Sequence, residues 1–159
     1  MSGQDLENTA DGKSRIILVD DHPIVRHGLT LLINREADLV VCGEAGDYEG
    51  ALNTIESDRP DMVIVDISLS GQDGLQLLKQ IRRKYGALPV LILSMHDESL
   101  YAERALQAGA NGYVMKQDAS ERVLKAIRRI LAGETYVSES IRRRIQQRAE
   151  SEAPQAPVT

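Results

Sequence analysis

The chain has 159 residues, of which 42% are hydrophobic and 27% charged, a balance that supports a packed core and excludes wholesale disorder. A net charge of −5 argues against a whole-surface nucleic-acid binder, and the absence of Trp and Phe argues against stacking platforms for single strands. No apolar run approaches the roughly 18–20 residues of a membrane-spanning helix, so no membrane partner is expected.

Residues 1–14 lack periodicity and read as a flexible leader, polar and without a secretory signal pattern. The first apolar run, Ile16-Ile17-Leu18-Val19, precedes a helix opened by Pro23 and carrying Val25, Leu29 and Leu32. Leu39-Val40-Val41-Cys42 comes next, then a helix with Tyr48, Leu52 and Ile55 on one face and Asp47 as its N-cap. Met62-Val63-Ile64-Val65 is followed by a helix with Leu75, Leu78 and Ile81, capped by Asp73. Val90-Leu91-Ile92-Leu93 leads to a fourth helix with Leu100, Ala105 and Leu106, for which Asp97 reads as a cap and which Gly109 ends. Gly112-Tyr113-Val114-Met115 leads to a fifth, with Val123, Ile127 and Ile130, ending at Gly133.

None of the five runs alternates polar with apolar, so each strand is buried on both faces. Strand and helix alternate five times, which predicts an α/β, doubly wound (βα)5 sandwich of flavodoxin-like type. Its five-stranded parallel sheet takes the order 2-1-3-4-5. That body spans residues 15–135. Residues 136–150 hold an extra helix with Ile141, Ile145 and Ala149 on one face, and 151–159 read as a linker or tail. Cys42 is the only cysteine, which excludes an internal disulfide and fits a reducing cytoplasm, the expected location. The basic residues Arg122, Lys125, Arg128 and Arg129, like the arginines at 142–148, read as solvated helix faces.

Ligands of open α/β sheets bind beyond the carboxyl ends of the strands. The first run ends in Asp20-Asp21, the third in Asp66, the fourth in Ser94 and the fifth in Lys116; the second contributes nothing obvious. In the predicted order these tips converge. Three carboxylates in one pocket call for protons or a cation, and a hard divalent ion that keeps its waters, Mg2+, suits them. Carboxylates, a divalent ion, a lysine and a hydroxyl together suit a phosphoryl group. His22 and His96 lie near, without an evident orienting partner, so no strong base is placed to activate water. A carboxylate can itself attack phosphorus, and Asp66 on the central strand is the best placed.

The motifs L-V-D-D-H (Asp20, Asp21), V-D-I-S-L-S-G-Q-D-G-L (Asp66), L-S-M-H (Ser94) and G-Y-V-M-K (Tyr113, Lys116) resemble, in order and spacing, the receiver domain of two-component response regulators. The segments L-S-M-H-D-E and A-L-Q-A-G-A-N-G-Y-V-M-K are similar to the NarL/FixJ-type subfamily. The resemblance implies a regulatory phosphoacceptor domain rather than a multiple-turnover enzyme. Asp66 would accept a phosphoryl group from a sensor histidine kinase. Asp21 and Asp66 would bind Mg2+ directly, Asp20 through water, and the Ser68 backbone carbonyl would complete the protein ligands. Ser94 and Lys116 would contact the phosphoryl group, and Ser94 with Tyr113 would form the switch, Tyr113 moving inward. Homodimerisation is a possible output, and DNA would be met only through a helix-turn-helix output domain that this chain does not contain. Ser70 stands where many receivers carry proline. An aspartyl-nucleophile phosphatase would want a second aspartate where Ser68 stands, and a flavin-binding relative would want a phosphate-cradling loop where the anionic Asp20-Asp21-His22-Pro23 lies.

Overall fold

A computed structural model describes residues 12–67, 74–94, 99–116, 120–137 and 139–152. Each apolar run becomes a strand: β1 (Ser14–Val19), β2 (Leu39–Ala45), β3 (Met62–Asp66), β4 (Val90–Ser94) and β5 (Gly112–Met115). Between and after them lie α1 (Pro23–Asn34), α2 (Tyr48–Asp58), α3 (Gly74–Tyr85), α4 (Ser99–Gln107) and α5 (Ser120–Leu131). A short β6 (Tyr136–Val137) and α6 (Glu139–Glu152) follow. The sheet is parallel throughout in the order β2-β1-β3-β4-β5-β6. The expected α/β class and the order 2-1-3-4-5 hold, with a sixth strand beyond the fifth. Two residues are too few to show a period. β6 is placed by tertiary pairing, with the Tyr136 N–H donating to the Asn111 carbonyl at 2.9 Å.

Alternation along the strands sorts the core into two layers. Ile17, Val19, Val63, Val65, Ile92 and Tyr113 pack under α2, α3, α4 and the Ile141 end of α6. Ile16, Leu18, Ile64, Leu91, Leu93 and Val114 pack under α1 and α5. A continuous apolar run is therefore used on both faces, as a doubly wound sheet requires.

Local signals act where they were read. Pro23 opens α1, and Asp47 caps α2 by accepting from the Gly50 N–H at 2.7 Å. α4 and α5 both stop at a glycine in the left-handed region, Gly109 (φ 104°) and Gly133 (φ 92°). Each stop is closed by a bond reaching back five residues, Ala110 N–H to Ala105 and Glu134 N–H to Arg129. The α1 stripe differs from expectation. Its buried anchor is Ile33, with Leu29 beside it, while Val25 and Leu32 are only half-buried. Cys42, half-buried, sits where the β1–β2 register shifts and is skipped between the Val41 and Gly43 pairings. The expected caps Asp73 and Asp97 lie outside the described residues. No helix among the described residues is long and apolar enough to cross a membrane.

Candidate functional site

The pairing of the sheet continues past the strand ends and fixes the site's backbone. The Asp20 N–H donates to the Ala45 carbonyl at 3.0 Å, Ile67 to Leu93 at 2.9 Å, and Lys116 to Ser94 at 2.7 Å. β2 thus does contribute, by holding the acid pair after β1. Asp20, Asp66 and Ser94 are the buried polar residues among those described, at 2%, 0% and 0% exposure. Buried carboxylates survive only with hydrogen bonds and opposite charge nearby.

The opposite charge is Lys116. Its Nζ lies 2.8 Å from Asp20 Oδ2 and 3.0 Å from Asp66 Oδ2, with the side chain itself 6% exposed. Burial alone would push its ammonium toward neutrality. The hydrogen bonds it donates to Asp20 and Asp66 overcome that and hold Lys116 above the ordinary lysine value. Asp21 is the more open member of the acid pair, with 27% of its side chain exposed.

His22 is the site residue that sequence reasoning undervalued. Its Nδ1 lies 2.9 Å from Asp20 Oδ1, 3.0 Å from Asp21 Oδ1 and 3.7 Å from Asp66 Oδ2. Its backbone N–H also donates to Asp20 Oδ1 at 2.8 Å. The imidazole is therefore oriented, by carboxylates that come from two strands and converge only in the fold. Two supports were also missed. Arg26 donates to the Asp20 carbonyl and pairs with Glu44 at 3.2 Å, tying the acid turn to β2. Gly74 donates to the Ile67 carbonyl at 2.8 Å, and a Cβ there would meet Ile67 Cα at 2.6 Å and the Asp66 carbonyl at 2.7 Å. Only a glycine lets α3 start that close to the end of β3. Its one sequence signal is its position just ahead of the Leu75 stripe.

Asp20, Asp21, Asp66 and His22 bring one ligating atom each to within 4.8 Å of one another. Three hard carboxylate donors fit a hard divalent cation such as magnesium. The structure brings Asp20, Asp21, Asp66 and Lys116 together. Ser94 ends β4, the strand beside β3 on the side toward β5. Tyr113 lies on β5, fully buried under the α4 side of the sheet. Ser68, Ser70 and His96 lie outside the described residues.

Residues 16–128 match the response regulator receiver domain family. The chain belongs to that family. This receiver is 38% identical over 128 residues to the nitrate/nitrite response regulator protein NarL of Escherichia coli K12, covering 79% of this chain and 58% of NarL. It is 35% identical over 124 residues to the oxygen regulatory protein NreC of Staphylococcus epidermidis, covering 77% of this chain and 57% of NreC. Among solved structures, a LuxR-family two-component response regulator from Aurantimonas sp. superposes with a TM-score of 0.82 at 39% identity, covering 87% of this chain and 99% of that one. These relatives place the receiver with the NarL/FixJ-type regulators. The chain spans less than two thirds of the length of the curated relatives, 58% in the case of NarL.

Proposed function

We propose that this receiver is a phosphorylation-driven switch whose phosphoacceptor is Asp66. The observation that carries the reading is the fully buried Asp66 carboxylate at the end of the central strand, 3.0 Å from Lys116 Nζ and flanked by Asp20 and Asp21. A sensor histidine kinase would present a phosphohistidine. An Asp66 oxygen forms the new O–P bond as the P–N bond breaks, and the imidazole keeps the electron pair and takes up a proton. Asp21 and Asp66 would hold Mg2+ directly, Asp20 through water, with the Ser68 carbonyl as a further ligand; the ion supplies charge neutralisation at the phosphoryl oxygens. Lys116 moves its ion pair from the carboxylates to the transferred group, and the Ser94 hydroxyl donates to a phosphoryl oxygen.

The readout follows from packing. Among the described side chains of α4, Ala102 and Ala105 are buried in the core and Tyr101 packs against it. Tyr113 and Ile141 belong to the same core cluster as those alanines. A pull on Ser94 and the segment after it is therefore shared by α4, Tyr113 and α6. That is a population shift set by differential contacts with the phosphoryl group.

Residues 15–135 are read as the switching unit, after a leader at 1–14, with 136–150 and 151–159 leading onward. Transcription control through a C-terminal DNA-binding domain, homodimerisation on activation, a cytoplasmic location and catalysis limited to the domain's own phosphotransfer and dephosphorylation complete the proposal. Hydroxylamine tests the chemistry. A phosphoryl group gained from an autophosphorylated kinase should be released by hydroxylamine, as an acyl phosphate is. A label that survives hydroxylamine would place the phosphate on another residue type.

A further inference from the structure

Two basic segments that look unrelated in sequence meet in space. Arg122, Lys125 and Arg129 from α5 and Arg142 from the first turns of α6 line one cleft of about 480 Å³, together with Tyr136 and Val137 of β6 and Glu139. The neighbouring cations are engaged elsewhere. Arg128 is turned to the α1–β2 turn, where it meets Glu36 at 2.6 Å and Asp38 at 2.9 Å, and Arg143 pairs with Glu139 at 3.6 Å. Glu139, the one carboxylate of the lining among the described residues, is thus partly neutralised from outside the cleft. Arg129 reaches Glu134 only at 4.0 Å. Among the described residues no carboxylate lies within ion-pair distance of Lys125 or Arg142. Lys125 and Arg142 thus give the cleft a local excess of positive charge on a chain whose net charge is −5.

We infer that this cleft binds a small oligophosphate anion. Guanidinium forks match phosphate oxygens in pairs, and three of the four cations are arginines. Four cations around a cleft of small-molecule size suit several negative charges held close together better than a single carboxylate. The half-buried Tyr136 and Val137 of the edge strand β6 supply an apolar wall. The inference does not rest on the phosphoacceptor reading, because the cleft shares no residue with the carboxylate cluster. The shared chemistry is a run of phosphates, either free or carried by a nucleotide.

The test is calorimetric titration of the whole chain at low salt, without divalent ions, using sodium tripolyphosphate and, in a second arm, ATP. The comparison set is wild type, Lys125→Ala/Arg142→Ala and Asp66→Ala. Both cleft side chains are exposed, so the double variant should keep the wild-type melting temperature. Tripolyphosphate should bind wild type and Asp66→Ala alike, bind the double variant at least about tenfold more weakly, and lose affinity as salt rises. Tighter binding of ATP would identify a nucleotide as the source, and equal or weaker binding a free oligophosphate; either supports the site. No binding of tripolyphosphate or ATP to wild type would overturn the proposal. So would binding that the double variant leaves unchanged. Tighter binding of random duplex DNA, lost in the same double variant, would also overturn it by making the cleft a nucleic-acid surface.

Discussion

Lys116 is what lets buried Asp20 and Asp66 coexist. Their 2.8 and 3.0 Å contacts to its ammonium replace the water that burial removed. Lys116→Met should therefore lower the melting temperature, and added MgCl2 should restore more of it in the variant than it adds to wild type, since a divalent ion can offset the same carboxylates. An equal magnesium increment in both proteins would contradict this. His22 makes a separate prediction. Its Nδ1 lies among the same three carboxylates, so a cation entering between them must displace the ring. Magnesium titration followed by NMR should shift the His22 ring signals and leave those of His27, exposed on α1, in place. Asp20, Asp21, Asp66, Ser94 and Lys116 were legible in the sequence because each directly follows an apolar run, and strand ends converge by topology. The role of His22 was not legible, since its partners include an aspartate far along the chain. Arg26 was not legible either, because its side chain reaches the Asp20 carbonyl and Glu44 on another strand.

At the scale of elements, α6 is the informative case. The spacing of Ile141 and Ile145 showed an amphipathic helix, but not what it covers. The fold seats Ile141, 1% exposed, in the cluster that holds Tyr113 and the alanines of α4. Ile141→Ala should cost about 2–4 kcal/mol by cavity formation, measurable by urea unfolding. It should also raise amide exchange in α4 more than in α1, which packs on the other face of the sheet. Equal exchange changes in both helices would remove the proposed route from α4 to α6. On the opposite layer, α5 is tied to the α1–β2 turn by Arg128. The hydrogen bond from Arg128 holds the Asp38 carboxyl below its ordinary value. Because the folded value is the lower one, this stabilisation is present above the unfolded value near about 3.9 and is lost as pH falls through the folded value. Arg128→Ala should flatten that part of the acid stability profile, while costing less than about 1 kcal/mol at neutral pH, since the pair is exposed. Caps such as Asp47, Gly109 and Gly133 could be read because they are local. β6 and the Ile33 anchor of α1 could not, because pairing and packing with distant segments decide them.

For the whole molecule, the central point is that strand order turns dispersed residues into one site. Asp20 and Asp21 after β1, Asp66 at the end of β3 and Lys116 after β5 are brought together by a sheet whose order places β3 and β4 between β1 and β5. The continuous apolar runs made that order predictable, and the doubly wound layers then leave the carboxyl ends of the strands as the place for chemistry. The same architecture separates the acidic pocket from the basic cleft lined by α5, β6 and α6. The most direct test of the account is intact mass after incubation with magnesium and a small acyl-phosphate donor, on wild type and Asp66→Ala. The account predicts a magnesium-dependent gain of one phosphoryl group in wild type and none in the variant. An equal gain in Asp66→Ala would contradict it.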